Sequence, residues 1–240
     1  MDNITTSLVV GCIRSCSLPL QNHTIQSIIE RKIVPRFTLQ NSYAGLVPTF
    51  VRSTFQTQVG FYSNYLALHI TQRLFSLHTE HSVLKAACIG FFTSFFDSLF
   101  HNPLRHLQVL QVITKNNLYT IVQTKGFSLF TDTIHWTTVF RIQSGVIMFS
   151  SNALYKELLG PDSPSFIAQA AAGATQVICT TPLYNFTIHK QKDSSIKLLD
   201  FIKKDYKTLC VYGVGQRLLI SLVITPLILN QMEKNATTAK

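Results

Sequence analysis

A proline-leucine pair recurs three times in this chain, each time late in a long apolar run. The fragments are CSLPLQNHTIQ, FHNPLRHLQVLQ and TTPLYNFTIHKQ, which contain Pro19, Pro103 and Pro182. The prolines are 84 and 79 residues apart, and a glutamine follows each pair. Self-similarity at a fixed interval constrains a fold strongly, because every copy must form the same unit. The pattern therefore predicts three structural repeats.

A second landmark recurs in phase with the prolines. Gly45, Asp132 and Gly213 lie in SYAGLVPTFVR, LFTDTIHWTTVFR and VYGVGQR, each at the start of another apolar run. Short amphipathic segments, LYTIVQTKGFSLF and IKLLDFIKKDYKTL, precede the latter two. We therefore expect one domain over 1–240, built from three copies of helix, short surface helix, helix. The predicted repeats are about 5–78, 82–159 and 163–235.

The composition favours a membrane protein, because charged residues make up only 13% and hydrophobic residues 46%. The charged share is about half that of soluble domains. A transmembrane helix needs roughly 20 apolar residues, and six runs approach that length. We predict an all-α membrane protein with six transmembrane helices in three pseudo-symmetric repeats. The candidate spans are about 5–29, 46–72, 83–114, 133–156, 163–190 and 208–232.

With these landmarks, the chain resembles the mitochondrial carrier family over nearly its whole length. The segments AGLVPTFVR and AAAGATQVICTTPL are close to sequence motifs of that family. The resemblance implies six helices around a central cavity and exchange of substrates by alternating access, without a cofactor. It also implies a monomer in the mitochondrial inner membrane, in contact with lipid such as cardiolipin. Another organelle membrane, or host mitochondria for a pathogen's protein, is the alternative location.

The prolines have a physical role in such a bundle. Proline removes a backbone hydrogen bond and kinks a helix, and a membrane helix tolerates it when neighbours satisfy the freed groups. We expect Pro19, Pro103 and Pro182 to kink the first helix of each repeat and to draw these helices together at one end.

The charged motifs of the family are largely missing. Its Pro-x-Asp/Glu-x-x-Lys/Arg motif closes one side of the cavity with ion pairs. Here the acidic slots hold Gln21, Arg105 and Tyr184, and the basic slots hold Thr24, Gln108 and Thr187. Of the acidic slots near the ends of the even helices, only Glu233 is acidic. Gln and Tyr hydrogen bonds would have to replace the ion pairs.

Five charges lie in the apolar cores: Arg14, Arg52, Asp97, Arg141 and Arg217. An Arg at the bilayer centre costs roughly 2.5–3.5 kcal/mol on insertion scales, so such residues usually face a cavity. Four Arg against one Asp predict a positive cavity that favours an anion. We expect the arginines to contact the substrate and Asp97 to act as their counter-ion.

Phe140 joins this set through the alignment of the second repeat. A one-residue slip there leaves two candidate contact pairs, Val139–Phe140 and Phe140–Arg141. The resemblance places Arg14 and Arg52 where ADP/ATP carriers have basic residues that hold phosphates. The predicted substrate-binding residues are Arg14, Arg52, Phe140, Arg141 and Arg217.

These features predict a transporter that exchanges a small anionic metabolite, with a nucleotide as one candidate. The alternative is a carrier-like adaptor that no longer transports, which the missing motif charges favour. An enzyme would need paired carboxylates or a nucleophile with its base, which Asp97 alone does not provide. The net charge of +10 comes without a nucleic-acid module, so we expect no nucleic-acid partner. The HTEH segment, His78 to His81, lacks a second ligand pair, so no metal site is predicted.

Overall fold

The computed structural model describes residues 2–31, 42–74 and 82–238. All regular structure in these residues is helical. Buried apolar side chains on several helices form small clusters between them, such as the one around Ile25, Ile28 and Val109. The helices are α1 (Asn3–Cys16), α2 (Leu18–Glu30), α3 (Leu46–Leu74), α4 (Ser82–Thr114), α5 (Leu118–Lys125), α6 (Ser128–Thr131), α7 (Ile134–Leu159), α8 (Ser165–Lys192), α9 (Leu198–Cys210) and α10 (Val214–Thr238).

The prediction of six transmembrane helices is wrong. Among the described helices, one segment, Val214–Thr237 in α10, is long and apolar enough to cross a membrane. The sequence argument counted Asp, Glu, Lys and Arg, and the runs at 53–72 and 163–189 have none. Their Ser, Thr, Asn, Gln and His side chains are also polar, and many of them are buried inside the protein. Absence of charge is therefore not the same as apolar character.

The six long stretches of helix form a closed ring. Each packs mainly against its neighbours in the order α1, α3, α4, α7, α8, α10, and α10 returns to α1. Helix α2 follows α1 after a break and contacts α4, α8 and α10. The short helices α5 and α6 pack on α4, and α9 packs on α8. This order leaves a central space enclosed by all three predicted repeats.

The three repeated prolines lie at different places in their helices. Ser17 separates α1 from α2, and Pro19 lies in the first turn of α2, where its missing N–H costs little. Pro182 lies inside the continuous helix α8. Pro103 lies inside α4, and its side chain is outside the described residues. The predicted run of 5–29 is thus two helices rather than one kinked helix.

A residue with positive φ directly precedes α3, α7 and α10. These residues are Gly45 (φ 79°), Thr133 (φ 64°) and Gly213 (φ 78°). A side chain is strained in this conformation and glycine is not, which explains two of the three residues. The middle landmark is therefore Thr133, not Asp132, which accounts for the one-residue slip in the second repeat.

Two asparagines hold the segments that lead into α3 and α10. The Asn22 side-chain amide donates to the carbonyl oxygens of Ser42 and Ala44, at 3.0 and 2.8 Å. The side-chain amide of Asn185 donates to the carbonyl oxygens of Leu209 and Tyr212, at 3.2 and 3.0 Å. Each asparagine lies three residues after the proline of its repeat, so the first and third repeats share a buried backbone clamp.

Small residues allow neighbouring helices to approach closely. A Cβ added to Gly90 of α4 would lie 2.5 Å from the carbonyl oxygen of Gly145 in α7. A Cβ on Gly173 of α8 would lie 2.9 Å from the hydroxyl oxygens of Ser221 and Thr225 in α10. At both crossings a Cβ would lie too close to the neighbouring helix, so glycine permits the close approach.

Two predicted features lie outside the described residues. One is the connection after the first helix of the first repeat, at 32–41. The other is the segment from His78 to His81, at the predicted end of that repeat. The division into three repeats stays a prediction.

Candidate anion-binding cavity

Five arginines from five helices line one cavity of about 190 Å³ in the centre of the ring. Arg14 comes from α1, Arg52 from α3, Arg105 from α4, Arg141 from α7 and Arg217 from α10. The structure thus brings together the four arginines predicted as substrate contacts. Phe140, the fifth predicted contact, lines the same cavity and is 8% exposed.

Arg52 and Arg14 are held by neutral glutamines. Arg52 is 4% exposed, and its Nη2 lies 3.5 Å from the side-chain oxygen of Gln21. The amide of Gln21 donates to the backbone carbonyl of Arg14 at 2.7 Å, so Gln21 also stabilises the end of α1. The Nη1 of Arg14 lies 3.5 Å from the side-chain oxygen of Gln56. Both contacts are long, which leaves the guanidinium groups free to bind a better acceptor.

Tyr184 of α8 lies between two other arginines. The Cζ of Arg217 is 4.0 Å from the centroid of the Tyr184 ring, and the Cζ of Arg105 is 5.2 Å from it. Arg105 also donates to the Tyr184 hydroxyl and, at 2.9 Å, to Gln108. Arg217 donates to the hydroxyls of Thr180 and Thr181, at 3.0 and 2.9 Å. The ring face is a neutral partner that attracts both cations.

Asp97 of α4 lines an adjoining cavity of about 130 Å³, to which Arg14 and Arg141 also contribute. One carboxylate oxygen, Oδ2, accepts from the amide of Gln56 at 3.0 Å and lies 3.7 Å from Nη2 of Arg141. The other oxygen, Oδ1, is buried and has no hydrogen-bond partner in the described part of the chain. Asp97 thus lies beside one of the predicted arginines, Arg141, at a long distance, and its role as a counter-ion stays a prediction.

The cavity has a surplus of positive charge. Among the described residues, the salt bridges join Arg31 to Asp205, Lys156 to Glu233 and Arg141 to Asp97. The hydrogen bonds of the other four cavity arginines go to neutral groups. Guanidinium groups converging without carboxylates are costly to bury and attract anions strongly where water is scarce. Their planar forks suit the paired oxygens of carboxylate, sulfate and phosphate.

The sequence analysis noted three residues of the cavity, but only as departures from the charged motif of the carrier family. Gln21, Arg105 and Tyr184 each lie two residues after a repeated proline. Their shared spacing from the prolines was the signal that could have grouped them, since equal positions in the predicted repeats are expected to face the same centre. Arg105 and Tyr184 interact directly, so a cation and an aromatic ring occupy two positions that the predicted resemblance compared with carboxylates.

A second polar cluster lies toward the C-terminal ends of α7 and α10. Glu233 accepts from the amide of Asn152 at 3.0 Å and pairs with Lys156 at 2.7 Å. Nearby, the side-chain oxygen of Asn3 accepts from the amides of Gln231 and Asn235, at 3.0 and 2.9 Å. These contacts connect α1, α7 and α10 on the far side of Asp97 from the prolines. The sequence analysis identified Glu233 but not Lys156 as its partner.

His189 near the end of α8 connects the ring to α9. Its Nε2 lies 3.1 Å from the carbonyl oxygen of Ile28, and its ring packs on Phe201 with centroids 4.7 Å apart. Burial lowers the pKa of His189 to about 4, although the hydrogen bond to Ile28 opposes this shift. Arg31 and Lys192 lower the pKa further, while Asp205 raises it. His189 is therefore neutral at physiological pH.

No protein-family model matches this chain, and no curated protein matches it in sequence. The resemblance to mitochondrial carriers therefore stays a prediction, and the functional argument depends on the cavity itself.

Proposed function

We propose that this chain binds a small, multiply charged anion in the central cavity and that this cavity is the substrate site of an anion transporter. The observation that carries the proposal is the convergence of five arginines around one space, of which one, Arg141, contacts the carboxylate of Asp97. Phosphate, phosphorylated metabolites, sulfate and dicarboxylates all have the charge and oxygen pattern that guanidinium groups bind.

Binding is favourable because it relieves repulsion that is already present. Arg52 is buried with one long contact to an amide oxygen, so bringing it into the protein has cost hydration without an ion pair in return. An anion that contacts Arg52 and its neighbours would supply that missing charge. It should therefore stabilise the folded chain by mass action.

Two features support transport in addition to binding. The cavity lies between the helices of a closed ring, lined by residues from α1, α3, α4, α7, α8 and α10. One cavity arginine, Arg217, lies on α10, which contains the candidate span Val214–Thr237. The alternative function, an adaptor without transport, would keep the bound anion as a structural component.

The test is exchange of labelled anions by purified protein in liposomes loaded with unlabelled counter-substrate. We expect saturable uptake of one class among phosphate, nucleotides, sulfate and dicarboxylates, and loss of that uptake in Arg52→Ala. The matched control is Arg73→Ala, which removes an exposed arginine from the end of the same helix. Anion binding without exchange would instead identify the adaptor.

A further inference from the structure

We propose that Asp97 is a proton-binding site coupled to the anion cavity, so that the chain takes up a proton when it binds a divalent anion. The inference rests on the proposed anion binding and adds a second ligand to the same site. It follows from three observations on Asp97: its burial, its shared partners and its unpartnered oxygen.

Asp97 is 8% exposed, so its charge depends on neighbouring groups rather than on water. Its Oδ2 is held by Gln56 at 3.0 Å and by Arg141 at a longer 3.7 Å. The charged groups that act on it from the surrounding helices are Arg14 on α1, Arg52 on α3 and Arg141 on α7. Each of these arginines also lines the anion cavity.

The bound anion and Asp97 would therefore compete for the same cations. An anion that draws Arg141 and Arg14 toward itself weakens the contacts that keep Asp97 ionised. It also places a second negative charge near a carboxylate that is shielded from water, and this repulsion favours protonation. In the coupled step, the Asp97 carboxylate accepts one proton from solvent, and a neutral carboxylic acid forms.

The unpartnered oxygen fits this step. Oδ1 is buried and accepts no hydrogen bond from the described residues, so a proton can be placed there without displacing a protein donor. Oδ2 would keep its bond from Gln56. A carboxylate with both oxygens fully hydrogen-bonded would resist protonation much more strongly.

The experiment is calorimetric titration of the full-length protein in detergent with sodium sulfate. Sulfate stays doubly charged near neutral pH, so a proton taken up on binding is gained by the protein and not by the anion. Titrations in two buffers with different ionisation enthalpies give the number of protons taken up per anion. We expect net proton uptake on sulfate binding. The Kd should rise with increasing pH, by up to about tenfold per pH unit in the range where one proton is taken up per anion.

Asp97→Asn should abolish the proton uptake and make the Kd independent of pH in that range. Asp200→Asn, which changes an exposed acid on α9, is the matched control and should keep both effects. If Asp97→Asn does not fold, the infrared difference spectrum of the wild-type protein serves instead, and sulfate should produce a protonated-carboxyl band.

The outcomes separate the two proposals. Three outcomes would overturn the role of Asp97 and leave anion binding intact. They are sulfate binding without proton uptake, proton uptake that persists in Asp97→Asn, and an infrared spectrum without the carboxyl band. No binding of any tested anion would overturn the proposed function itself.

Discussion

The guanidinium carbon of Arg217 lies 4.0 Å from the centre of the Tyr184 ring, and Arg105 donates to the hydroxyl of the same tyrosine. One neutral side chain thus separates and holds two cations that would otherwise repel each other. A cation–π contact contributes about 0.5–2 kcal/mol depending on its exposure. This relationship makes Tyr184 the residue that positions two of the five cavity arginines.

Tyr184→Leu should therefore weaken anion binding, because it removes both the ring beneath Arg217 and the acceptor for Arg105. We expect sulfate affinity to fall about fivefold, which corresponds to about 1 kcal/mol. Tyr184→Phe keeps the ring and should lose less. Calorimetric titration of the two variants measures the difference, and equal affinities for both would show that the ring does not position Arg217.

Replacing Arg52 should separate stability from binding. Arg52→Met removes a buried charge whose contact is one long hydrogen bond, so we expect the variant without anion to be about 1–2 kcal/mol more stable. Thermal unfolding with and without sulfate measures both effects. The variant should have a higher Tm alone and a smaller increase on addition of sulfate. A lower Tm with an unchanged sulfate effect would contradict the assignment.

The crossing of α4 and α7 should not tolerate a side chain at Gly90. A Cβ there would lie 2.5 Å from the carbonyl oxygen of Gly145, so Gly90→Ala must push two helix backbones apart. We expect a loss of about 1–3 kcal/mol, typical of overpacking. Gly215→Ala is the matched control, because nothing lies within 4 Å of its added Cβ. Urea unfolding of the two variants gives the comparison, and equal stabilities would contradict the close crossing.

His189 should make the stability of the chain depend on pH. Its pKa is lowered to about 4 in the folded state by burial, against about 6.5 in the unfolded chain. The unfolded state therefore binds the proton first, and stability present above pH 6.5 is lost as the pH falls toward 4. The loss attributable to this group is about 3 kcal/mol.

The measurement is the free energy of unfolding between pH 4 and pH 7 for His189→Gln and for the wild-type chain. The variant should lose less stability on acidification. His69→Gln, which alters an exposed histidine on α3, should follow the wild-type curve. A variant curve parallel to that of the wild type would show that His189 does not titrate in this way.

The sequence predicted which arginines lie together, but its prediction of six transmembrane helices was wrong. Arg14, Arg52, Arg141 and Arg217 could be grouped from sequence, because a charged residue within an apolar run usually faces a cavity. The transmembrane spans could not be inferred from missing charges, since buried Ser, Thr and Gln side chains serve a polar interior. When the hydropathy of all residue types is counted, one candidate span remains among the described helices, in α10.

Other details of the site could be determined only from the backbone conformation and the side-chain contacts. Thr133 adopts positive φ, which is unusual for a β-branched residue and has no signal in the sequence. It moves the second-repeat landmark by one residue and places Phe140 seven residues after it, as Arg52 is after Gly45. Arg105 and Tyr184 were assigned as lost motif positions, because a comparison with one expected charge pattern did not consider a different pair in the same slots.

The central claim is that the arginine cavity binds one anion per chain. Calorimetric titration with sulfate of the wild-type chain, Arg52→Gln, Arg217→Gln and the exposed control Arg73→Gln tests it most directly. We predict one site in the wild-type and control proteins, with affinity at least tenfold lower in both cavity variants. Absence of binding by the folded wild-type chain, or equal affinity in all four proteins, would contradict the account.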